Sequence, residues 1–493
     1  MTTADTLAAR TTDPHHHRRW AILAVLGLAQ LMVVLDATIV NIALPSAQAD
    51  LGFSDANRQW IVTAYALAFG SLLLFGGRLS DVLGRKRMFI AGLIGFAVAS
   101  ALGGLAQDFT VLVTARALQG LFGALLAPAA LSLLTTTFTE ARERGRAFGI
   151  YGAIAGGGGA LGLLLGGVLT EYLSWRWCLY VNLILAVPAA VGALALLVHT
   201  RPKGKVHLDL PGTITVSAGL LALVYGFTRA ESDGWTAPIT LALLIGGVVL
   251  LAIFCLIETR VAQPLLPMRV ALDRNRGGSY LGLALASAGM FGVFLFLTYY
   301  LQQTLGFTPI ETGLAFLPMI GALMLTATTS TALLLPRTGP RLPVVAGMVV
   351  SGIGMVLLTQ VGVNTAYASH VLPGLMVLGL GLGLVFAISF EVGTMGVGSN
   401  DAGVASAMVN TTQQVGGSIG TAFLSTMMAS AAASFIVGRP DTAETAAKAA
   451  VSGYTTAFWW SAAIFAISAI VCGILLRKEL PQPDIEAVPA PAV

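Results

Sequence analysis

An aspartate interrupts the first long apolar stretch of the chain. Asp36 lies in LDATIVNIALP (residues 35–45), within an apolar run from about Trp20 to Leu44. Such a run exceeds the roughly 20 residues that cross about 30 Å of hydrocarbon. An ionised carboxylate at that depth costs about 2.5–3.5 kcal/mol on insertion scales, and acids retained there commonly relay protons. We therefore predict that Asp36 is the functional centre of the chain and faces a protein interior or a water-filled cavity, with a purely structural role as the alternative.

A residue of opposite charge lies inside a later apolar run. Arg116 follows Phe109, where that run begins and heads inward. At about 1.5 Å per residue, Asp36 lies about 24 Å above Trp20 and Arg116 about 10 Å below Phe109. In a core about 30 Å thick the two share a level, so we predict direct or water-mediated pairing. Protonating Asp36 would then cancel a charge and change the preferred conformation; a permanent structural ion pair is the alternative.

Glu391 is the other acid in an apolar setting. It lies in LVFAISFEVGTMGV (residues 384–397), late in an inward-running stretch. We predict either a carboxylate at the cytoplasmic mouth of a cavity or a second site for protons and cationic substrates. Polar residues of other apolar runs are candidates for lining a substrate cavity: Gln30, Asn41, Tyr65, Gln119, Asn410, Gln413 and Gln414.

The sequence does not favour an enzyme. His199, His207 and His370 are scattered, without a nucleophile or metal constellation around them. The His triplet at 15–17 stands in a polar tail, and three adjacent side chains cannot close round one ion. The sequence has no Gly-x-x-x-x-Gly-Lys-Ser/Thr phosphate loop. We therefore expect no metal, no cofactor and no ATP cassette, and energy that comes from a gradient or a partner.

Membrane-spanning helices must position these residues. The 493-residue chain is 56% apolar and only 10% charged, whereas soluble domains carry about 25% charged residues. Its three cysteines all lie in apolar runs, which indicates buried hydrophobes rather than disulfides. The runs predict an all-α integral membrane protein with fourteen spans, at about 20–44, 58–77, 87–106, 109–133, 146–170, 178–198, 209–228, 237–257, 278–301, 312–335, 341–360, 370–394, 404–429 and 455–476.

The basic residues set the orientation. With the N-terminus inside, cytoplasmic segments hold 21 of the 27 Lys and Arg residues. This bias predicts that both termini are cytoplasmic and that the protein lies in a cell membrane, with the lipid bilayer as its surroundings. The net charge of +4 therefore reflects topology rather than nucleic-acid binding.

The longer inside loops divide the chain into two bundles. Six spans lie on each side of a central pair, a plan that recurs in transporters with the substrate held between the halves. The predicted divisions are a cytoplasmic tail (1–19), an N-terminal six-helix bundle (20–198), a linker with two extra transmembrane helices (199–277), a C-terminal six-helix bundle (278–476) and a second cytoplasmic tail (477–493). No loop is long enough for the soluble domain of a sensor.

A short basic loop is the most specific pattern in the chain, GRLSDVLGRKR (residues 77–87). The positive-inside rule explains its basic residues but not an acid flanked by two glycines. The loop resembles the signature loop between spans two and three of the major facilitator superfamily. That resemblance implies a charge network that latches one conformation, formed here by Gly77, Asp81, Gly84, Arg85, Lys86 and Arg87. Asp81 with Arg85 would latch the outward-facing state.

Further stretches resemble the fourteen-helix drug:proton antiporter branch of that family. They are LDATIVNIALP (35–45), LVTARALQGLFGALLAPAALSLL (112–134), AIAGGGGALGLLLGG (153–167), LSWRWCLYVN (173–182) and AGVASAMVNTTQQVGGSIG (402–420). The resemblance implies proton-coupled export of drugs, antibiotics or similar amphiphilic molecules, lipophilic and in part cationic, by alternating access. Asp36 would exchange protons and Arg116 would tune it. An importer or a lipid or metabolite transporter on the same scaffold is the alternative.

Glycines are spaced for close helix packing in the fifth span and its counterpart. We predict that they permit close helix packing, and the functional alternative is a smooth surface between the halves along which these can rock. The glycines concerned are Gly158, Gly162, Gly166, Gly167, Gly416 and Gly420. The fifth-span motif usually has a proline where this chain has Leu163, so it does not by itself fix the direction of transport.

Overall fold

A computed structural model describes residues 18–138, 140–198, 209–261, 264–397 and 402–480. All regular secondary structure in these ranges is helical. Fourteen of the helices there are long and apolar enough to cross a membrane, which confirms the predicted all-α fold and the number of spans. We number them α1 to α14 in chain order.

The first six helices form the N-terminal half. They are α1 (Arg19–Leu51), α2 (Asp55–Leu83), α3 (Arg85–Gly104), α4 (Phe109–Thr137), α5 (Ala141–Tyr172) and α6 (Trp177–Leu196). The next two form a hairpin, α7 (Leu210–Asp233) and α8 (Pro238–Glu258). The C-terminal half consists of α9 (Arg274–Tyr299), α10 (Pro309–Thr329), α11 (Arg341–Leu358), α12 (Leu372–Thr394), α13 (Ala402–Ile436) and α14 (Ala443–Leu475). The division into domains stays a prediction.

Several helices are longer than the apolar runs indicate. The last helix begins at Ala443 instead of near residue 455, because its first turns are polar and hold an ion pair of Glu444 with Lys448 at 2.6 Å. Polar termini also carry their own caps. Asp108 accepts a hydrogen bond from the Val111 backbone N–H at 2.9 Å and so fixes the start of α4.

The α7–α8 hairpin connects the two halves along one side of the molecule. Ser217 on α7 donates to the Ser71 carbonyl on α2 at 3.3 Å. Thr426 on α13 donates to the Phe227 carbonyl on α7 at 3.3 Å. Helix α8 packs on α7 and leaves side chains such as Ile245 exposed, as a helix against lipid would.

The halves contact each other closely at the end that the predicted topology places outside the cell, here called the outer end. Gln302 after α9 donates to the Ile42 carbonyl on α1 at 3.0 Å, and the Tyr299 hydroxyl donates to Gln48. An added Cβ at Gly167 on α5 would lie 2.7 Å from the Pro309 carbonyl oxygen. We call these contacts the outer seal, since they close the space between the halves at this end.

Candidate functional site

Asp36 is fully buried in the N-terminal half and accepts hydrogen bonds from three side chains. Its Oδ2 accepts from Arg116 Nη1 at 2.6 Å. Its Oδ1 accepts from Gln119 Nε2 at 2.8 Å and from Asn182 Nδ2 at 2.6 Å. The site therefore joins α1, α4 and α6 around one carboxylate, and each bond to that charge is stronger than a bond between neutral groups.

Arg116 is held by more than its counter-charge. Its Nε donates to the Ile61 carbonyl on α2 at 3.0 Å, and its Nη1 also donates to Gln119 at 2.8 Å. The guanidinium lies 4.5 Å from the centre of the Tyr65 ring. A buried cation needs a counter-charge and further hydrogen bonds to offset its loss of water, and Arg116 has both, with an added contribution from the aromatic ring. The predicted pairing with Asp36 is direct in this structure, while its role in proton coupling stays a prediction.

Sequence reasoning missed Asn182 and Ser100 as members of this network. Ser100 on α3 accepts from Gln119 Nε2 at 2.7 Å and from Asn182 Nδ2 at 3.3 Å. Both residues are 0% exposed. Asn182 ends the quoted stretch LSWRWCLYVN and is a lone amide in an apolar run, which is a usable signal. Ser100 has no such signal, since serines are common in membrane helices.

The polar residues predicted to line the cavity lie in three different settings. Gln119 and Tyr65 are buried around Arg116. They belong to the group of side chains around Asp36 and Arg116, which we call the charge network and which is distinct from the predicted latch. Gln30 accepts a hydrogen bond from the Tyr151 hydroxyl at 2.6 Å, which ties α1 to α5. The other four remain candidates for cavity lining: Asn41, Asn410, Gln413 and Gln414. Of these, Asn41 is the most buried, at 8% exposure.

Glu391 is not brought to the Asp36 site. It lies near the end of α12, which stops at Thr394, and its side chain is half-buried. Among the described residues, no hydrogen bond or ion pair joins it to Asp36 or Arg116. In the part of the chain that the structure describes, the buried pair of Asp36 with Arg116 thus lies apart from Glu391, and a separate role for Glu391 stays a prediction.

The predicted latch loop makes a tight turn with contacts to distant parts of the chain. Gly84 adopts φ +98°, which favours glycine, and joins α2 to α3 directly. Lys86 Nζ donates to the Leu194 and Leu197 carbonyls at the end of α6, at 3.1 and 2.5 Å. Arg85 is partly exposed and Arg87 exposed. The Asp81 side chain lies outside the described part of the structure, so the latch itself stays a prediction.

The predicted glycine surface packs helices closely, but mostly within each half. Added Cβ atoms at Gly162 and Gly166 would lie 3.0 and 2.9 Å from carbonyl oxygens of α1, and one at Gly158 would lie 3.1 Å from Val34 of the same helix. Gly416 and Gly420 similarly face α9. These five glycines therefore pack helices closely, as predicted, but the alternative that they form a surface between the halves is wrong for them. The rotation of each helix about its axis determines which neighbouring helix its glycines face. Of the six predicted glycines, only Gly167 faces the other half.

Comparisons with known proteins agree with this architecture. The model of the Major Facilitator Superfamily matches residues 26–421. The puromycin resistance protein of Streptomyces alboniger is 48% identical over 482 residues, covering 97% of this chain and 95% of that protein. The cephamycin export protein of Amycolatopsis lactamdurans is 40% identical over 405 residues, 82% and 83% of the two chains. An auto-inhibited peptide transporter of the POT family shares the fold, with a TM-score of 0.68 at 16% identity over 95% of this chain and 99% of that one.

Proposed function

Because this chain belongs to the major facilitator superfamily, a family of membrane transporters, we propose that it exports antibiotic-like amphiphilic molecules by alternating access, driven by protons. The buried pair of Asp36 with Arg116 carries the proton part of this proposal. The names of its relatives, for puromycin resistance and cephamycin export, support the export of antibiotics. The protein would lie in a cell membrane with both termini in the cytoplasm, and its energy would come from the proton gradient without a bound cofactor.

Protonation of Asp36 would act on the contact between α1 and α4. The neutral acid attracts Arg116 less, while Arg116 keeps its bond to the Ile61 carbonyl on α2. Helix α1 is then freer to shift against α4. Because α5 packs on α1 through Gly162 and Gly166, and touches the other half through Gly167, such a shift reaches the outer seal. Protonation of Asp36 would thereby change the relative populations of the two conformations that alternate during transport.

The substrates would be lipophilic, cations among them. Gln413 and Gln414 on α13 are both partly exposed, and we propose that they border the space between the halves. Amides donate and accept hydrogen bonds without demanding a charge. Puromycin is the first compound to test, because the relative with 48% identity is named for resistance to it.

Substrate-driven proton release from inverted vesicles tests this function. We expect wild-type vesicles to release protons on addition of puromycin or a lipophilic cationic dye. Asp36→Asn keeps the size and the acceptor oxygen but cannot ionise, so it should give no release. Asp233→Asn, on an acid at the end of α7 whose side chain is 31% exposed, is the matched control and should behave as wild type.

Three outcomes would revise the proposal. Proton release that survives in Asp36→Asn but is lost in Glu391→Gln would move the coupling to Glu391. Proton movement in the opposite direction, with uptake of the compound into right-side-out vesicles, would indicate an importer. A wild type that moves neither compound while binding lipids would indicate a lipid transporter on the same scaffold.

A further inference from the structure

A narrow cavity lies beside the charge network, on the outer side of Arg116 and within the N-terminal half. The cavity is partly open, and its interior has about 10 Å³ for a water-sized molecule, which is room for one water at most. Arg116 is one of the residues that line it, and the others are apolar or weakly polar: Val40, Ala43, Leu44, Ala47, Ile61, Leu112, Trp175, Cys178 and Leu179.

The cavity continues the face of α1 that carries Asp36. Val40 follows Asp36 by one turn, and Ala43 and Ala47 follow at helical spacing on the same face. From Val40 to Ala47 the helix rises about 10 Å. Ala43 and Ala47 are small, so they leave a narrow space along α1 that larger side chains would fill. We call this space, lined by the residues of the cavity named above, the column. The cavity thus points from the buried acid toward the outer end of the molecule.

A polar cluster stands where this column meets the outer surface. Trp175 is 6% exposed, and its Nε1 donates to Asp50 Oδ2 at 3.0 Å. Arg176 pairs with the same carboxylate and donates to the Ala106 carbonyl at 2.9 Å. The Asp50 side chain is 47% exposed. A surface acid, a buried indole and an apolar column therefore follow one another down to Arg116 and Asp36.

This column is separate from the space between the two halves. Its lining comes from α1, α2, α4, α6 and the segment before α6, all in the N-terminal half. The outer seal lies instead where α1 and α5 meet the C-terminal half. A proton that followed the column would reach Asp36 without passing through the space that a substrate must use.

We propose that protons from outside the cell reach Asp36 along this column, with Trp175 as its gate and Asp50 as the proton-collecting group at its mouth. The inference rests on the proposed coupling at Asp36. With Trp175 in place the column is too dry to conduct, which prevents a proton leak. Displacement of the indole during turnover admits water and connects the two acids.

The native cysteines provide a test of water access. Cys178 lines the column and Cys472 lies in the C-terminal half, and both are 0% exposed. We would prepare one variant that retains only Cys178 and one that retains only Cys472, and treat right-side-out vesicles with a small membrane-impermeant thiosulfonate. We expect Cys178 to react at least tenfold faster than Cys472 during turnover with puromycin. Equal rates would overturn the proposal.

A second pair of variants tests proton movement. Ala43→Val narrows the column, whereas Ala193→Val adds the same methyl groups at an equally buried site of α6 that does not line it. We expect puromycin-driven proton release to fall at least fivefold in the first variant only. Equal losses in both would attribute the effect to packing and overturn the path.

The outcome for Asp36→Asn separates this inference from the function on which it rests. Release that survives in Asp36→Asn contradicts the coupling and the path together. Release that is lost in Asp36→Asn but unaffected in Ala43→Val, with Cys178 no more reactive than Cys472, leaves the coupling standing and rejects only the path.

Discussion

At the scale of single residues, the planar geometry of the Arg116 guanidinium matters as well as its positive charge. Its guanidinium donates in three directions, to Asp36, Gln119 and the Ile61 carbonyl, and stacks on Tyr65. Lysine has one ammonium group and cannot reproduce this planar fork. We expect Arg116→Lys to lower the proposed export, measured with whichever compound the wild type transports, at least tenfold at unchanged protein amount. Export at wild-type level in this variant would show that charge alone suffices.

The buried pair also predicts a pattern of stability. Arg116→Leu leaves the Asp36 carboxylate buried without its base, and breaking such a pair typically costs about 3–5 kcal/mol. The double variant Asp36→Asn/Arg116→Leu removes both charges and should recover most of that loss while remaining inactive. Thermal unfolding of the purified transporter in detergent measures both effects. A double variant that is less stable than Arg116→Leu would contradict the uncompensated charge as the cause.

At the scale of helices, the crossing of α2 and α4 depends on Gly76. An added Cβ there would lie 2.0 Å from the Ala124 carbonyl oxygen, whereas one at Gly77 would meet only Pro128 at 3.7 Å. The sequence pattern singles out Gly77, but the close approach falls on its neighbour. Two adjacent glycines thus have different roles: one permits helix contact and the other belongs to the loop motif.

This difference gives a prediction with a control one residue away. Gly76→Ala should destabilise the fold by about 1–3 kcal/mol through overpacking. Gly77→Ala should be neutral or stabilising by up to about 1 kcal/mol, because alanine favours helix. Unfolding temperatures of the two purified variants measure the contrast. Equal effects would mean that the helices adjust without cost at this crossing.

At the scale of the whole molecule, the structure is closed at the outer end. Tyr299, the last residue of α9, donates to Gln48 of the other half, and Gln302 just after α9 donates to the Ile42 carbonyl there. The Arg58 guanidinium lies 4.2 Å from the centre of the Tyr299 ring, also at the outer end. Alternating access requires these contacts to open, so their strength contributes to the balance between the two conformations.

Tyr299→Phe should shift that balance. It removes the bond to Gln48 between the halves, and the neighbouring Tyr300→Phe removes bonds to Gly362 and Thr365 within one half. A net loss of about 0.5–1.5 kcal/mol changes the population ratio about 2- to 13-fold. Electron spin resonance distances between labels on the outer loops, at residues 52 and 306, should show more open molecules in Tyr299→Phe only. An equal shift in both variants would contradict a specific role of the outer seal.

The sequence by itself determined those features that depend on how a single segment crosses the hydrocarbon of a membrane. The fourteen apolar runs, the depth of Asp36 and Arg116, and the turn at Gly84 all follow from local composition and spacing, because each depends on a single helix or loop. The pairing of Asp36 with Arg116 was predictable for the same reason. The depth of each residue in the membrane follows from its position along its own helix, and two opposite charges at one depth have few other partners.

Only the tertiary structure decided which face of each helix meets which neighbour. It added Asn182 and Ser100 to the network, turned Gly162 and Gly166 toward α1, and left Glu391 outside the site. In a membrane every face of a span is apolar, so hydrophobic periodicity does not mark the buried side. Helix rotation is set instead by the sum of many small packing contacts between helices distant in sequence, and no single stretch of the chain contains that information.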